Sequence, residues 1–174
     1  DVLNGSLVLS TLPVLILLAA ISWLVGWETP ALASLALGAS LLGFLRYNWY
    51  PARVFSGNIG SNLVAAVITT VAITARLEVV TLVALLPHIL NEFFIIVSMG
   101  GLKSGKAFAA RPIRVVKGMI VSSPRLGDPI TLVRLITLQN PMGEAAVSKR
   151  IALLSAYSSI LALMTYLIGG VRLR

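Results

Sequence analysis

The chain has 174 residues, 57% of them apolar and 11% charged, with 14 Lys and Arg against 6 Asp and Glu for a net charge of +8 and a mean hydropathy of +0.95. An ordinary soluble domain carries roughly 25% charged residues, and a chain of this length has no interior large enough to hide so much apolar surface, so a water-soluble globule is excluded in favour of a membrane protein. The basic residues gather between the apolar segments, which argues against nucleic acid as partner and for anionic phosphates on lipids or on a nucleotide; with no Cys and one His, a disulfide framework, a thiolate nucleophile and a Cys or multi-His metal site within this chain are excluded too.

Asp1 opens the sequence without Met or a basic n-region, so the first apolar stretch does not read as a signal peptide, and the sequence reads as part of a longer one. A helix needs about 20 apolar residues to cross a hydrocarbon core of roughly 30 Å. Five segments qualify or come close: Leu7 to Val25, Ala31 to Leu45, Ser61 to Ala75, Leu77 to Met99 and Ile151 to Ile168. The turn Gly26-Trp27-Glu28-Thr29-Pro30 joins the first two with an interfacial Trp and a Pro placed to start the next helix. Spanning strands are excluded, because the period-two alternation of a barrel is absent and a lone strand leaves its backbone groups unpaired in lipid. The expected fold class is all-α: a single transmembrane helical bundle over residues 1–174, with a long basic loop at 100–150 between the fourth and fifth spans.

Lys and Arg set the orientation. The loop from Arg46 to Gly60 holds two and the stretch from Gly100 to Arg150 holds nine, against Arg76, Arg172 and Arg174 on the other side. The richer side is cytoplasmic by the positive-inside rule, in the plasma membrane of a prokaryote or the endoplasmic reticulum of a eukaryote. Loops as long as the second are usually functional or disordered, and its apolar content argues against disorder. Within it, Ile130 to Leu138 has apolar residues at helical spacing and predicts a short amphipathic surface helix, and Lys117-Gly118-Met119-Ile120-Val121 reads as one arm of a small hairpin.

Chemistry concentrates in Arg46-Tyr47-Asn48-Trp49-Tyr50-Pro51-Ala52-Arg53-Val54-Phe55-Ser56-Gly57-Asn58-Ile59-Gly60-Ser61, a loop feeding a transmembrane helix. Gly57 and Gly60 let backbone approach a ligand, Asn58 and Ser61 are N-cap types, and a helix start offers free N–H groups to an anion. Phe55 is placed where an exposed ring would stack on a base. The same residues also fit a capped helix start inside an interfacial aromatic belt. His88 and Glu92 stand four apart on the fourth span, with Asn91 between them, and form a candidate polar pair facing the bundle interior, functional or structural. Glu144, after Pro141, is positioned to cap or anchor the last helix.

The Asn48–Ser61 run resembles the signature of the polyprenyl-phosphate N-acetylhexosamine-1-phosphate transferases, of glycosyltransferase family 4 type, in which an Asn-x-x-Pro-Ala/Ser-x-Val-Phe-x-Gly-Asp stretch precedes a membrane helix. Asn48-Trp49-Tyr50-Pro51 is most similar to the archaeal and eukaryotic branch acting on dolichyl phosphate. The resemblance implies that the chain is the C-terminal half of such an enzyme, which moves N-acetylhexosamine-1-phosphate from a UDP-sugar to a polyprenyl or dolichyl phosphate with Mg²⁺. It implies that Phe55 stacks on uracil and that Asn58 occupies a metal-ligand position where the family usually has Asp. The opening Asp1 to Ser6 resembles the family's Asn-x-x-Asp/Ala-Gly-x-Asn/Asp-Gly loop, making Asp1 a second metal ligand and Gly5 a nucleotide contact, or, three residues out of step, placing Asn4-Gly5 on the later Asn-Gly. Arg111-Pro112-Ile113-Arg114-Val115 with Lys117-Gly118 is similar to the eukaryotic branch's Arg-Ile-Pro-Arg-Leu, which makes Arg111 and Arg114 the candidates for diphosphate and sugar; attraction to anionic lipid accounts for the same charges. The family's acidic Asp-Asp pair is missing, so the catalytic residues are unassigned and these 174 residues alone are expected to be inactive. Expected partners are the UDP-sugar, the lipid phosphate and membrane lipids, with a homodimer left open. Two rivals stand beside this reading: a transporter half, from the Gly-rich helix starts with His88 and Glu92, and a non-catalytic relative that binds lipid phosphate, from Asn58.

Overall fold

The computed structural model describes residues 3–101, 111–125 and 127–169. Among them, four helices are long and apolar enough to cross a membrane: α1 (Ser6–Leu24), α2 (Glu28–Asn48), α3 (Gly57–Thr74) and α7 (Glu144–Gly169). The expected fifth span, Leu77 to Met99, is divided into α4 (Glu78–Ala84) and α5 (Leu86–Ser98), which meet at 67°. Pro87 accounts for the break, since it has no N–H for the Val83 carbonyl and its ring would clash there. The pair is one broken span or a re-entrant loop, not the straight helix expected.

The first span is apolar all round and is the most buried: Val8, Val14, Leu15, Leu18 and Ile21 have almost no exposed surface. It forms the centre, packed mainly on α2 and α7, and its residues dominate a core shared with Val64, Ile68 and Val71 of α3 and Val80 and Ala84 of α4. The outer faces carry exposed Leu and Ile, among them Leu32, Leu35, Leu42, Leu63, Leu153 and Ile160, as lipid contact requires. Helix ends α1 and α3 close alike: Trp27 N donates to Ser22 O and Leu77 N to Ala72 O, both at 2.8 Å, satisfying carbonyls the helix leaves free. In the second case a non-Gly residue, Arg76, takes the left-handed position at φ 49.

At the opposite end lies a three-stranded antiparallel sheet of β1 (Ile113–Val116), β2 (Met119–Ser122) and β3 (Met142–Gly143), in that order. Lys117 and Gly118, expected in a strand arm, form the two-residue turn instead, with φ 50 and 76, and Val116 pairs with Met119. Helix α6 (Leu132–Ile136) is shorter than the expected Ile130 to Leu138. Pro129 and Pro141 bracket the segment, Thr131 caps the helix by accepting Arg134 N at 3.1 Å, and Thr137 ends it. Nor is α6 simply amphipathic, because Arg134 points inward. Leu3, Ile120, Val147 and Ile151 make a second core under the sheet, joined by Ile113, Leu132, Val133, Ile136 and Met142.

Candidate active site

Three loops are tied into one polar knot at this end of the bundle. Asn48, the last residue of α2, has no exposed surface. Its Oδ1 accepts Gly5 N at 3.0 Å and its Nδ2 donates to Val54 O at 2.9 Å, joining the N-terminal loop to the loop before α3. Asn4 completes the link: Oδ1 accepts Ala52 N at 2.9 Å, the carbonyl accepts Ser148 Oγ at 2.9 Å, and the N–H donates to Glu144 Oε1 at 2.7 Å. Glu144 thus anchors the first residues of α7 to the opening loop, as the sequence led us to expect. Gly5 has φ 72, and a Cβ there would sit 3.3 Å from Trp49 Cε3, so glycine is needed for both reasons. The Arg46–Gly60 loop and the 100–150 stretch therefore share one end, as charge counting implied; neither Asn4 nor Asn48 stood out as more than a motif letter.

The knot presents Phe55, 51% exposed, and the first turn of α3, where Asn58 is exposed as well. Gly60 serves a purpose other than ligand approach. A Cβ on it would lie 2.4 Å from Ser56 Cβ, because the chain folds back tightly on entering α3. Ser61, proposed as a cap, instead bonds back to the carbonyls of Gly57 and Asn58 at 3.2 Å. Arg111 and Arg114, at the start of the hairpin, are exposed. Asp1 lies outside the described residues, as do Lys103 and Lys106.

Beside the knot a groove of about 400 Å³ opens between α1, α3, α5 and α6, with Ser10, Thr11, Ser61, His88, Asn91 and Glu92 among the residues of its polar lining. His88 and Glu92 both reach it without bonding to each other: Glu92 accepts from Asn91 Nδ2 at 3.2 Å, and His88 Nε2 is buried without a partner. Both residues belong to α5, yet His88 lies against Ser10 of α1 while Glu92, one turn on, is exposed. Asn91 has a role that sequence reasoning missed. Its Oδ1 accepts Leu132 N at 2.7 Å, and Ser98, seven residues on along the same face, accepts Ile130 N at 3.0 Å, so α5 holds the segment leading into α6.

For Mg²⁺ the described residues are insufficient. They contain no group of three His, Cys, Asp or Glu side chains able to hold a metal ion, Glu144 is engaged with Asn4, and Asn58 offers one neutral oxygen where Mg²⁺ prefers carboxylates.

Comparison with known proteins bears on the same residues. Residues 1–76, which include the N-terminal loop, α1, α2, the loop after Asn48 and α3, match the model of Glycosyl transferase family 4. The phospho-N-acetylmuramoyl-pentapeptide-transferase of Clostridium novyi (strain NT) is 30% identical over 115 residues, covering 65% of this chain and 35% of that protein. The protein of that name from Clostridium kluyveri (strain NBRC 12016) is 36% identical over 83 residues, 48% of this chain and 26% of the relative. The one from Clostridium botulinum (strain Eklund 17B / Type B) is 30% identical over 115 residues, 65% and 36%. The chain thus spans about a third of the length of the relatives it matches. The chain is thus similar to Glycosyl transferase family 4 over its first 76 residues, which include the very loops that Asn4 and Asn48 tie together.

Proposed function

We propose that this chain is part of an enzyme that transfers a sugar-1-phosphate from a UDP-sugar to a polyprenyl phosphate in a membrane. The observation that carries the reading is the polar knot of Asn4, Asn48 and Glu144, which holds the family-matched loop with Phe55 and Asn58 at the basic end of a transmembrane bundle. A lipid phosphate oxygen attacks the sugar-bearing phosphorus of the donor; the new P–O bond forms as the bond to the bridging oxygen breaks, and UMP leaves. Little covalent chemistry falls to the protein, which must hold two anions in line and offset their repulsion. In this reading Phe55 stacks on uracil, Gly5 admits the nucleotide close to the backbone, and Arg111 and Arg114 pair with diphosphate oxygens. In the same reading the groove lined by Ser61, His88 and Asn91 receives the start of the prenyl chain. Mg²⁺ belongs to the proposal with Asn58 as one ligand, the remainder coming from Asp1 or from other parts of a larger protein. The basic end faces the cytoplasm.

For the finer specificity we propose N-acetylhexosamine as the sugar and a dolichyl-type acceptor, on the Asn48-Trp49-Tyr50-Pro51 sequence, whereas the names of the bacterial relatives favour a muramoyl-pentapeptide donor. The test is to offer the full-length protein each labelled UDP-sugar with undecaprenyl or dolichyl phosphate and extract the lipid product. Label entering lipid from UDP-N-acetylglucosamine supports the proposal. Transfer of the muramoyl donor alone would replace the sugar, and solute flux into liposomes without any transfer would favour a carrier.

A further inference from the structure

The loop between β2 and α6 is organised around one side chain. Arg134, on α6, is only 7% exposed, and its guanidinium gathers four main-chain carbonyls. Nη1 donates to Asp128 O and Pro129 O, and Nη2 donates to Ser123 O at 3.1 Å and Arg125 O at 2.6 Å. Four carbonyl dipoles turned toward one point repel each other unless a cation lies among them. A guanidinium suits the position, with donors fixed in a plane and a charge it does not lose; an ammonium has three donors and no fork.

This cage has an exit toward the candidate substrate residues. Ser123 directly follows β2, and its N–H donates to Pro112 O at 3.0 Å, one step beyond the Ile113↔Ser122 pair that ends the hairpin ladder. Pro112 is adjacent to Arg111 and two residues from Arg114. At its other side the cage is fixed to the bundle, since Leu132 N donates to Asn91 Oδ1 and Ile130 N to Ser98 Oγ, both on α5. Hydrogen bonds therefore run from a membrane helix through the Arg134 cage to the base of the hairpin. The route matters because the packing that holds the hairpin is on the β2 side, through Ile120 and the pairing with β3, whereas β1, which carries Arg114, is an edge strand with Val115 and Val116 exposed.

We propose that Arg134 is a positioning residue: through Ser123 and Pro112 it fixes the base of the hairpin that carries Arg111 and Arg114, and so sets how those two side chains meet the donor's diphosphate. The fixing of the hairpin stands on the hydrogen bonds alone; the consequence for the diphosphate rests on the transferase reading above.

The experiment compares Arg134→Met, Arg134→Lys, Arg111→Ala and the double variant Arg134→Met with Arg111→Ala in the full-length protein, with two readouts. The first is steady-state transfer. Arg134→Met raises KM for the UDP-sugar about tenfold, as loss of one charge-assisted contact does, and leaves KM for the lipid phosphate unchanged. Arg134→Lys recovers part of the loss. The double variant falls short of the product of the singles, because Arg134 acts through Arg111. Equal rises in both KM values, or multiplicative effects, would overturn the diphosphate part.

The second readout needs no activity. Spin labels at Lys117→Cys on the hairpin turn and Leu153→Cys on α7, in the full-length protein with any cysteine outside these 174 residues replaced, give a narrow distance distribution that broadens in Arg134→Met and less so in Arg134→Lys. An unchanged distribution would overturn the positioning role. Broadening together with no phospho-sugar transfer by the parent protein would retain the positioning and remove the transferase reading.

Discussion

Replacing Asn48 by Ala removes two hydrogen bonds from a side chain with no exposed surface. Gly5 N–H then loses its partner in a buried position and Val54 C=O in a partly buried one. An orphaned buried polar group costs about 1–3 kcal/mol and a partly buried one less, so the two together weaken closure of the knot by roughly 2–4 kcal/mol. Since about 1.4 kcal/mol is a tenfold change in an equilibrium constant, amide exchange in the segments 4–6 and 53–55 should accelerate by about 30-fold or more. Hydrogen–deuterium exchange with mass spectrometry on the full-length protein in detergent measures this, with the buried middle of α1 as internal reference. The isosteric Asn48→Asp keeps an acceptor for Gly5 but turns a carboxylate oxygen toward the Val54 carbonyl, so it should open the loop at least as much. Exchange within about threefold of wild type in both variants would refute the reasoning, because it would mean the two loops hold together without Asn48.

Gly60→Ala places a Cβ 2.4 Å from that of Ser56, so the entry into α3 must shift; near-UV circular dichroism and donor KM should both change, and an unaltered KM would show that the first turn of α3 does not contact the donor. Phe55→Ala should raise KM for the UDP-sugar by about tenfold, within the roughly 1–3 kcal/mol of base stacking on an aromatic ring, with lipid KM unaffected; equal effects on both substrates would argue against stacking. Pro87→Ala restores the missing N–H, and if Pro87 causes the 67° bend, a spin-label pair at residues 79 and 97 lengthens by up to about 4 Å at 1.5 Å rise per residue; no lengthening would assign the bend to packing. Single cysteines at Lys117 and Thr29 should react with an impermeant thiol reagent from opposite sides of the membrane, Lys117→Cys from the cytoplasm; same-side labelling would overturn the topology.

The multi-span helical bundle and the shared end of the two basic loops were readable from hydropathy and from Lys and Arg counts, because a bilayer imposes both rules on any sequence. The break at Leu85 was less so: Pro87 signals a kink, yet a Pro inside a membrane helix is often accommodated, as Pro13 is within α1. Within the candidate site, the Asn48–Ser61 run stood out as chemistry, but the partners of its first residue, Gly5 and Val54, are set by tertiary contact across 43 residues in one case. Gly60 was read as leaving room for a ligand, whereas it leaves room for Ser56. Arg134 was read as part of a surface helix, because helical periodicity registers which face a residue is on and not that backbone carbonyls nine and eleven residues earlier in sequence will fold over it.

The central claim is tested most directly by incubating the full-length protein with labelled UDP-N-acetylhexosamine and polyprenyl phosphate, with and without Mg²⁺, and measuring UMP release alongside label in the lipid phase. The account predicts equal amounts of both products, each requiring the lipid phosphate and each reduced by Arg111→Ala. UMP release that proceeds without lipid phosphate, or no release from any UDP-sugar by wild type and by Asn58→Asp alike, would contradict it.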